Sequence, residues 1–135
     1  MLREYLEQLC KELEIELPKL DGKKIFPLRL GKYLIHIKDL DPGVAMQGQI
    51  CPCPKRKKEE LFIYLMRANL LGQGTGGARI GIDKDDNFLT LSLGLPYEIN
   101  YQIFRENVEN FANYLIHWQR EVAKFENEQN ASSNR

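Results

Sequence analysis

The sequence predicts an α+β domain: helix, three strands, helix, two strands, helix (α-β-β-β-α-β-β-α), with an antiparallel sheet packed by helices. Three observations carry this. Phe104, Val108, Phe111, Leu115, Trp118, Val122 and Phe125 step by four and three along the C-terminal third, which is a helical stripe. Leu89, Leu91, Leu93 and Leu95 alternate with Thr90, Ser92 and Gly94, which is the period of a strand. Gly and Pro punctuate the runs between them at the spacing of hairpin turns.

Taken in order, Leu2, Leu6, Leu9 and Leu13, widened by Tyr5, form the stripe of a first helix, and Pro18 and Asp21-Gly22 signal its end. Ile25 to Leu30 is strand-like but holds Pro27, which places it at a sheet edge or a bulge. Gly31 separates it from a second run, in which Tyr33, Ile35 and Ile37 alternate with Leu34, His36 and Lys38. Asp41-Pro42-Gly43 turns the chain into a third run, Val44 to Ile50. Pro52 and Pro54 are then expected to break the ladder. Glu59 to Leu71 reads as a second helix whose LFIYLM is apolar almost all round. Such a helix is buried on two sides, and in a domain this small the second side can belong to another chain. Arg79 to Asp83 and Phe88 to Leu95 form a hairpin, and Asn100 is placed to cap the last helix. Residues 1–126 are expected to form a single domain, with 127–135 a disordered tail lacking an apolar anchor.

Composition excludes several classes. The chain has 135 residues, 43% of them hydrophobic, and 19 basic residues balance 19 acidic ones. No net basic field draws nucleic acid, so nucleic-acid binding is not expected. No apolar run reaches the roughly 18 residues of a membrane span, so no membrane insertion is expected. The charged N-terminus is not a signal peptide, and the three cysteines fit a reducing compartment, so residence is expected in the cytoplasm.

The stretch NLLGQGTGGARIGID contains Gly72-x-Gly74-x-x-Gly77, the glycine spacing of a dinucleotide site. That site needs a strand before the glycines and a helix after them, so that the helix N-terminus holds the pyrophosphate. Here the order is reversed: the loop meets a helix C-terminus, whose negative dipole end repels phosphate. The glycines serve as punctuation instead. Gly72 sits where a helix-ending residue would, Gly76 and Gly77 allow a tight reversal, and Gly81 suggests close approach by another backbone. Cys51-Pro-Cys53 lacks the ligand count of a zinc site and the spacing of a redox pair. His36 and His117 have no nucleophile in context, and Asp83, Asp85 and Asp86 lack the bidentate Glu of a calcium loop. No catalytic residue, metal site or cofactor is expected, and the chain is not expected to be an enzyme.

ANLLGQGTGGARIGIDKDDNFLTLSLGLP, followed by a helix containing FANYLIHW, resembles the class I type III secretion chaperones, the Tir chaperone (CesT-like) family. The resemblance is good from about Glu59 to Phe125 and topological from Met1 to Ile50. It implies a small bacterial cytoplasmic protein without catalysis that dimerises through its second helix and the neighbouring strand. An extended segment near the N-terminus of a secreted effector or regulator wraps around the dimer, which keeps that client soluble and export-competent. The partner subunit is a second copy or a related class I chaperone. The neutral charge, where many such chaperones are acidic, suits pairing with an acidic sister.

On this basis Leu2, Tyr5, Leu6 and Leu9, with Leu28, Ile35 and Ile37, are candidates for the client-binding wall, although the same stripes also describe an ordinary core. Leu61, Phe62, Leu65 and Met66, with Ile80 and Ile82, are the dimer candidates, against a helix buried wholly in its own domain. Phe104, Phe111, Leu115 and Trp118 are read as core. Lys55 to Lys58 is a solvated run ahead of a helix, and supports as an alternative a regulator that binds the transcription apparatus.

Overall fold

The computed structural model describes residues 2–19, 24–54, 58–70, 76–83, 85 and 87–133, the side chains of residues 58 and 129–133 excepted. The elements are α1 (Leu2–Leu13), β1 (Ile25–Leu30), β2 (Tyr33–Asp39), β3 (Val44–Pro52), α2 (Lys58–Asn69), β4 (Arg79–Ile82), β5 (Phe88–Leu95) and α3 (Tyr101–Ser133). This is the expected order. The strands form one antiparallel sheet, β1-β2-β3-β5-β4, so β1 and β4 are its edges.

Alternation along the strands makes the sheet two-faced. Phe26 and Leu28, Ile35 and Ile37, Val44 and Met46, and Leu89 and Leu91 are buried in one cluster with the apolar stripes of the helices. Lys38, Gln47, Gln49 and Ser92 lie between them on the exposed positions. The α3 stripe from Phe104 to Val122 is buried throughout. It reaches β3 because Gly48 leaves room: a Cβ there would lie 2.6 Å from Leu115 Cδ2. Asn100 Oδ1 accepts the Ile103 N–H at 2.8 Å, as expected of the N-cap. On the α1 side, the Tyr5 ring meets Tyr101 and Phe104, and its hydroxyl donates to the Ile99 carbonyl at 2.9 Å.

Three element ends and one glycine reading depart from the sequence expectation in ways that have a local cause. α1 stops at Leu13, ahead of Pro18. Ile15 N–H donates to the Cys10 carbonyl and Glu14 N–H to that of Lys11, with Glu14 in the left-handed region at φ 54°. This is a Schellman stop with glutamate where glycine is usual. β3 continues through Pro52, with a bulge between Gln49 and Cys51. Cys53 N–H donates to the Asn87 carbonyl, so Pro52 falls at a position whose missing N–H faces away from β5. α3 continues to Ser133, where a disordered tail from 127 was expected. No Gly or Pro interrupts 127–133, so the backbone has no stop signal there. Finally, Gly81 pairs with Thr90 of β5 as an ordinary strand residue, and no described atom comes within 4 Å of where its Cβ would lie, so the close approach expected there is not seen among the described residues. Gly76 and Gly77 do reverse the chain with positive φ, at 63° and 89°, while Gly72 lies outside the described residues.

Two stability outcomes follow. Gly43 has φ +90°, and a Cβ there would fall 1.9 Å from the Leu95 carbonyl oxygen. Gly43→Ala is expected to destabilise by about 3 kcal/mol in urea unfolding. Glu14→Gly is expected to raise stability by up to about 1 kcal/mol by the same measurement, because it removes the left-handed penalty at the α1 stop.

Candidate functional site

α2 is the element whose sequence and environment disagree most. Leu61 and Leu65 face the core, and Ala68 packs against it. Tyr64 turns toward α3, stacking on Phe125 at 5.7 Å and meeting Trp118 edge-on. Its hydroxyl donates to Glu121 Oε2 at 3.2 Å. Burial raises the Tyr64 pKa, and the Glu121 charge and hydrogen bond add to this. At 3.6 residues per turn, Asn69, Phe62, Met66 and Ile63 fall in order along an arc of about 120°, with Glu59 of the first turn between Met66 and Ile63 and with Leu70 following the helix end. Met66 is 70% exposed, Leu70 68% and Ile63 53%.

This arc continues onto the sheet. Phe62, Leu65, Met66 and Asn69 of α2, Ile80, Gly81 and Ile82 of β4, and Leu89 of β5 line an open depression of about 200 Å³. Ile82 is 42% exposed at its rim. Asn69 joins the two elements: its Nδ2 donates to the Ile80 carbonyl and its Oδ1 accepts the Ile80 N–H, both at 2.8 Å.

The expected dimer residues therefore divide. Leu61, Leu65 and Ile80 are interior, Phe62 is half-buried, and Met66 and Ile82 are on the surface. Ile63 and Leu70 belong to the same exposed arc. The sequence reading missed them, although they share its helical spacing with Met66.

The expected client wall is not a surface in this structure. Leu2, Leu6, Leu9, Leu28, Ile35 and Ile37 are each at most 2% exposed, filling the space between α1 and the sheet. Tyr5 alone is half-buried, and it serves the α1–α3 contact. The reason is geometric: a one-faced sheet must close its apolar side, and the α1 stripe is the lid that does so. Among the described residues up to Asp39, the exposed large apolar side chains are instead Leu13 at the end of the α1 stripe, Leu17 beyond it and Ile25 at the start of β1.

Other candidates have local roles. Asp83 Oδ1 accepts the Asn87 N–H at 2.8 Å, so this carboxylate closes the β4–β5 hairpin. His117 is exposed on α3 against Trp118. Cys51 and Cys53 are half-buried and free. Burial, with Glu126 and Cys53 nearby, pushes the Cys51 thiol up to about 11. Among the described residues no three His, Cys, Asp or Glu side chains converge to hold a metal. No described helix is long and apolar enough to cross a membrane. Residues 55–57 of the basic run lie outside the described residues.

Comparison with known proteins fits this picture. The family model of the Tir chaperone protein (CesT) family matches residues 4–119. The chain belongs to this family. It is 23% identical over 99 residues to a Chlamydia pneumoniae protein, covering 73% of this chain and 75% of that one. The fold is shared with a chain of the ExsC–ExsE complex at TM-score 0.71 and 13% identity, over 88% of this chain and 91% of that one. It is shared with a chain of the Pseudomonas aeruginosa type III secretion complex ExoU–SpcU at TM-score 0.67 and 12% identity, over 90% and 94%. A third match is to a chain of the complex of the Yersinia pestis type III secretion chaperone SycH with a fragment of YscM2, at TM-score 0.61 and 15% identity, over 87% and 99%. At these identities the likeness is one of fold, and it covers nearly the whole family domain.

The cysteine environment makes one prediction. A thiol raised from 9.0 to about 11 holds about a hundredfold less thiolate at pH 8. Iodoacetamide labelling of Cys51, followed by peptide mass spectrometry, is expected to be slower in the folded chain than in urea by about that factor.

Proposed function

We propose that this chain is a cytoplasmic type III secretion chaperone. It binds the extended N-terminal region of a secreted effector or regulator and keeps it soluble and competent for export, without catalysing a reaction. Membership of the Tir chaperone family, together with an uncovered apolar face continuous over α2 and β4, carries this reading. It gains support from three relatives of the same fold solved in complex with another protein. The physical basis is burial. Each exposed side chain such as Met66 or Leu70 contributes roughly 1.5–3 kcal/mol when a partner covers it fully.

The α2–β4 face is the proposed dimer surface. Its core is Met66, Ile82, Ile63 and Leu70, with Phe62 beneath, and the partner is a second copy or a sister class I chaperone. Equal numbers of acidic and basic residues put no net repulsion in the way of either. The client is proposed to meet the other half of the molecule. There Leu13, Leu17 and Ile25 offer apolar contacts, and the β1 edge offers main-chain groups for strand addition.

Coexpression with an affinity-tagged candidate secretion substrate from the same genome is the direct test. The substrate's N-terminal region is expected to copurify and to gain protection from protease. A substrate equally soluble and equally cleaved without the chain would refute the reading. Met66→Asp combined with Ile82→Asp is expected to convert the assembly to single subunits in light scattering after size exclusion. The circular dichroism of the fold should be unchanged, because both side chains are exposed.

A further inference from the structure

The two edges of the sheet are not equivalent. On β4, Ile80 is paired with Leu91 across to β5, yet its N–H and C=O are both bonded to Asn69. These groups therefore face away from β5. In an antiparallel strand the outward positions alternate, so Ile82 is the next one. An amide carries one acceptor and one donor set at the spacing of a peptide group, so Asn69 stands where one residue of a sixth strand would stand. β4 spans only Arg79–Ile82, so closing Ile80 leaves one outward position among the described residues.

The β1 edge has the opposite character. Asp39 N–H donates to the Lys24 carbonyl, so Lys24 faces β2, and alternation turns Ile25, Pro27 and Arg29 outward. Pro27 lacks an N–H, and here it lacks it on the outward side, where no ladder bond to β2 is lost. That edge still presents three acceptors and two donors over five residues. No described side chain bonds to those groups.

We propose that Asn69 is a strand mimic that closes the β4 edge, so that a partner meets the α2–β4 face through side chains alone and extended polypeptide is directed to β1. The assignment of partners to the two edges rests on the chaperone reading above; the edge closure does not. Asn69 is thus a positioning residue: it acts through the main chain of Ile80 and has no contact with client to lose.

Amide exchange of the full chain, followed by NMR, tests this. Asn69→Leu keeps the volume and removes both bonds; Asn69→Asp keeps the acceptor for the Ile80 N–H. Ile80 is expected to exchange at least tenfold faster in Asn69→Leu, with Leu91 still protected, and also faster in Asn69→Asp, whose second carboxylate oxygen is turned against the Ile80 carbonyl it can no longer donate to. The opened edge is also expected to add concentration-dependent larger species in sedimentation velocity. Those species should vanish when Ile82→Pro removes the next outward N–H. An Ile80 amide equally protected in wild type and Asn69→Leu overturns the proposal, as does an unchanged mass distribution in a folded Asn69→Leu. If Asn69→Leu does not fold, an Ile80 amide as protected in Asn69→Ala as in wild type overturns it. None of these measurements contains client, so a chain that binds no secretion substrate would refute the chaperone reading and leave this result standing.

Discussion

The seat of α3 across β3 is the contact on which the rest of the molecule depends. Leu115 occupies the space that a side chain at Gly48 would take, and the stripe from Phe104 to Val122 is buried with it. Once α3 lies there, the two remaining helices have assigned places. α1 is held to α3 by Tyr5, Tyr101 and Phe104, and its buried Leu2, Leu6 and Leu9 join the core cluster that includes the sheet's apolar face. α2 fits at the β4 end, held through Tyr64 on Phe125 and Trp118 and through Asn69 on Ile80. One long helix thus organises a single apolar sheet face, and the opposite face stays polar.

Three helices cover that sheet unevenly, and the unevenness is where function enters. α1 is amphipathic in the ordinary sense, and its stripe from Leu2 to Leu9 is consumed by the core, with Leu13 left exposed at its end. α2 carries more apolar surface than the sheet can use. An arc with Met66 and Leu70 some two-thirds exposed is a cost in a solitary subunit and an asset in one that meets a partner. Its neighbour β4 is also an edge, a combination that invites uncontrolled pairing. Asn69 addresses that hazard with one side chain, at the point where helix and edge meet.

The charge balance and the cysteines fit a molecule that works by contact. Neither sign of charge dominates, so the proposed contacts gain no long-range steering from net charge. The raised Cys51 thiol is chemically quiet rather than poised for reaction.

The sequence by itself determined the element order, the Asn100 cap, the α3 stripe and the punctuating role of Gly76-Gly77, and it narrowed β1, through Pro27, to an edge or a bulge, of which the sheet order shows the edge. These are local properties, set by periodicity, backbone conformation and the donors a residue has or lacks. It also marked α2 as apolar almost all round, leaving open whether its second side meets another chain or its own domain. Only the tertiary structure decided which stripe stays exposed. Leu6 and Met66 are equally apolar in sequence; one is capped by a complete sheet face and the other overhangs a four-residue edge strand. The α1 stop at Glu14 and the passage of β3 through Pro52 were likewise settled by hydrogen bonds. So was the hold of Asn69 on Ile80, a bond between residues eleven apart whose meeting depends on where α2 lands.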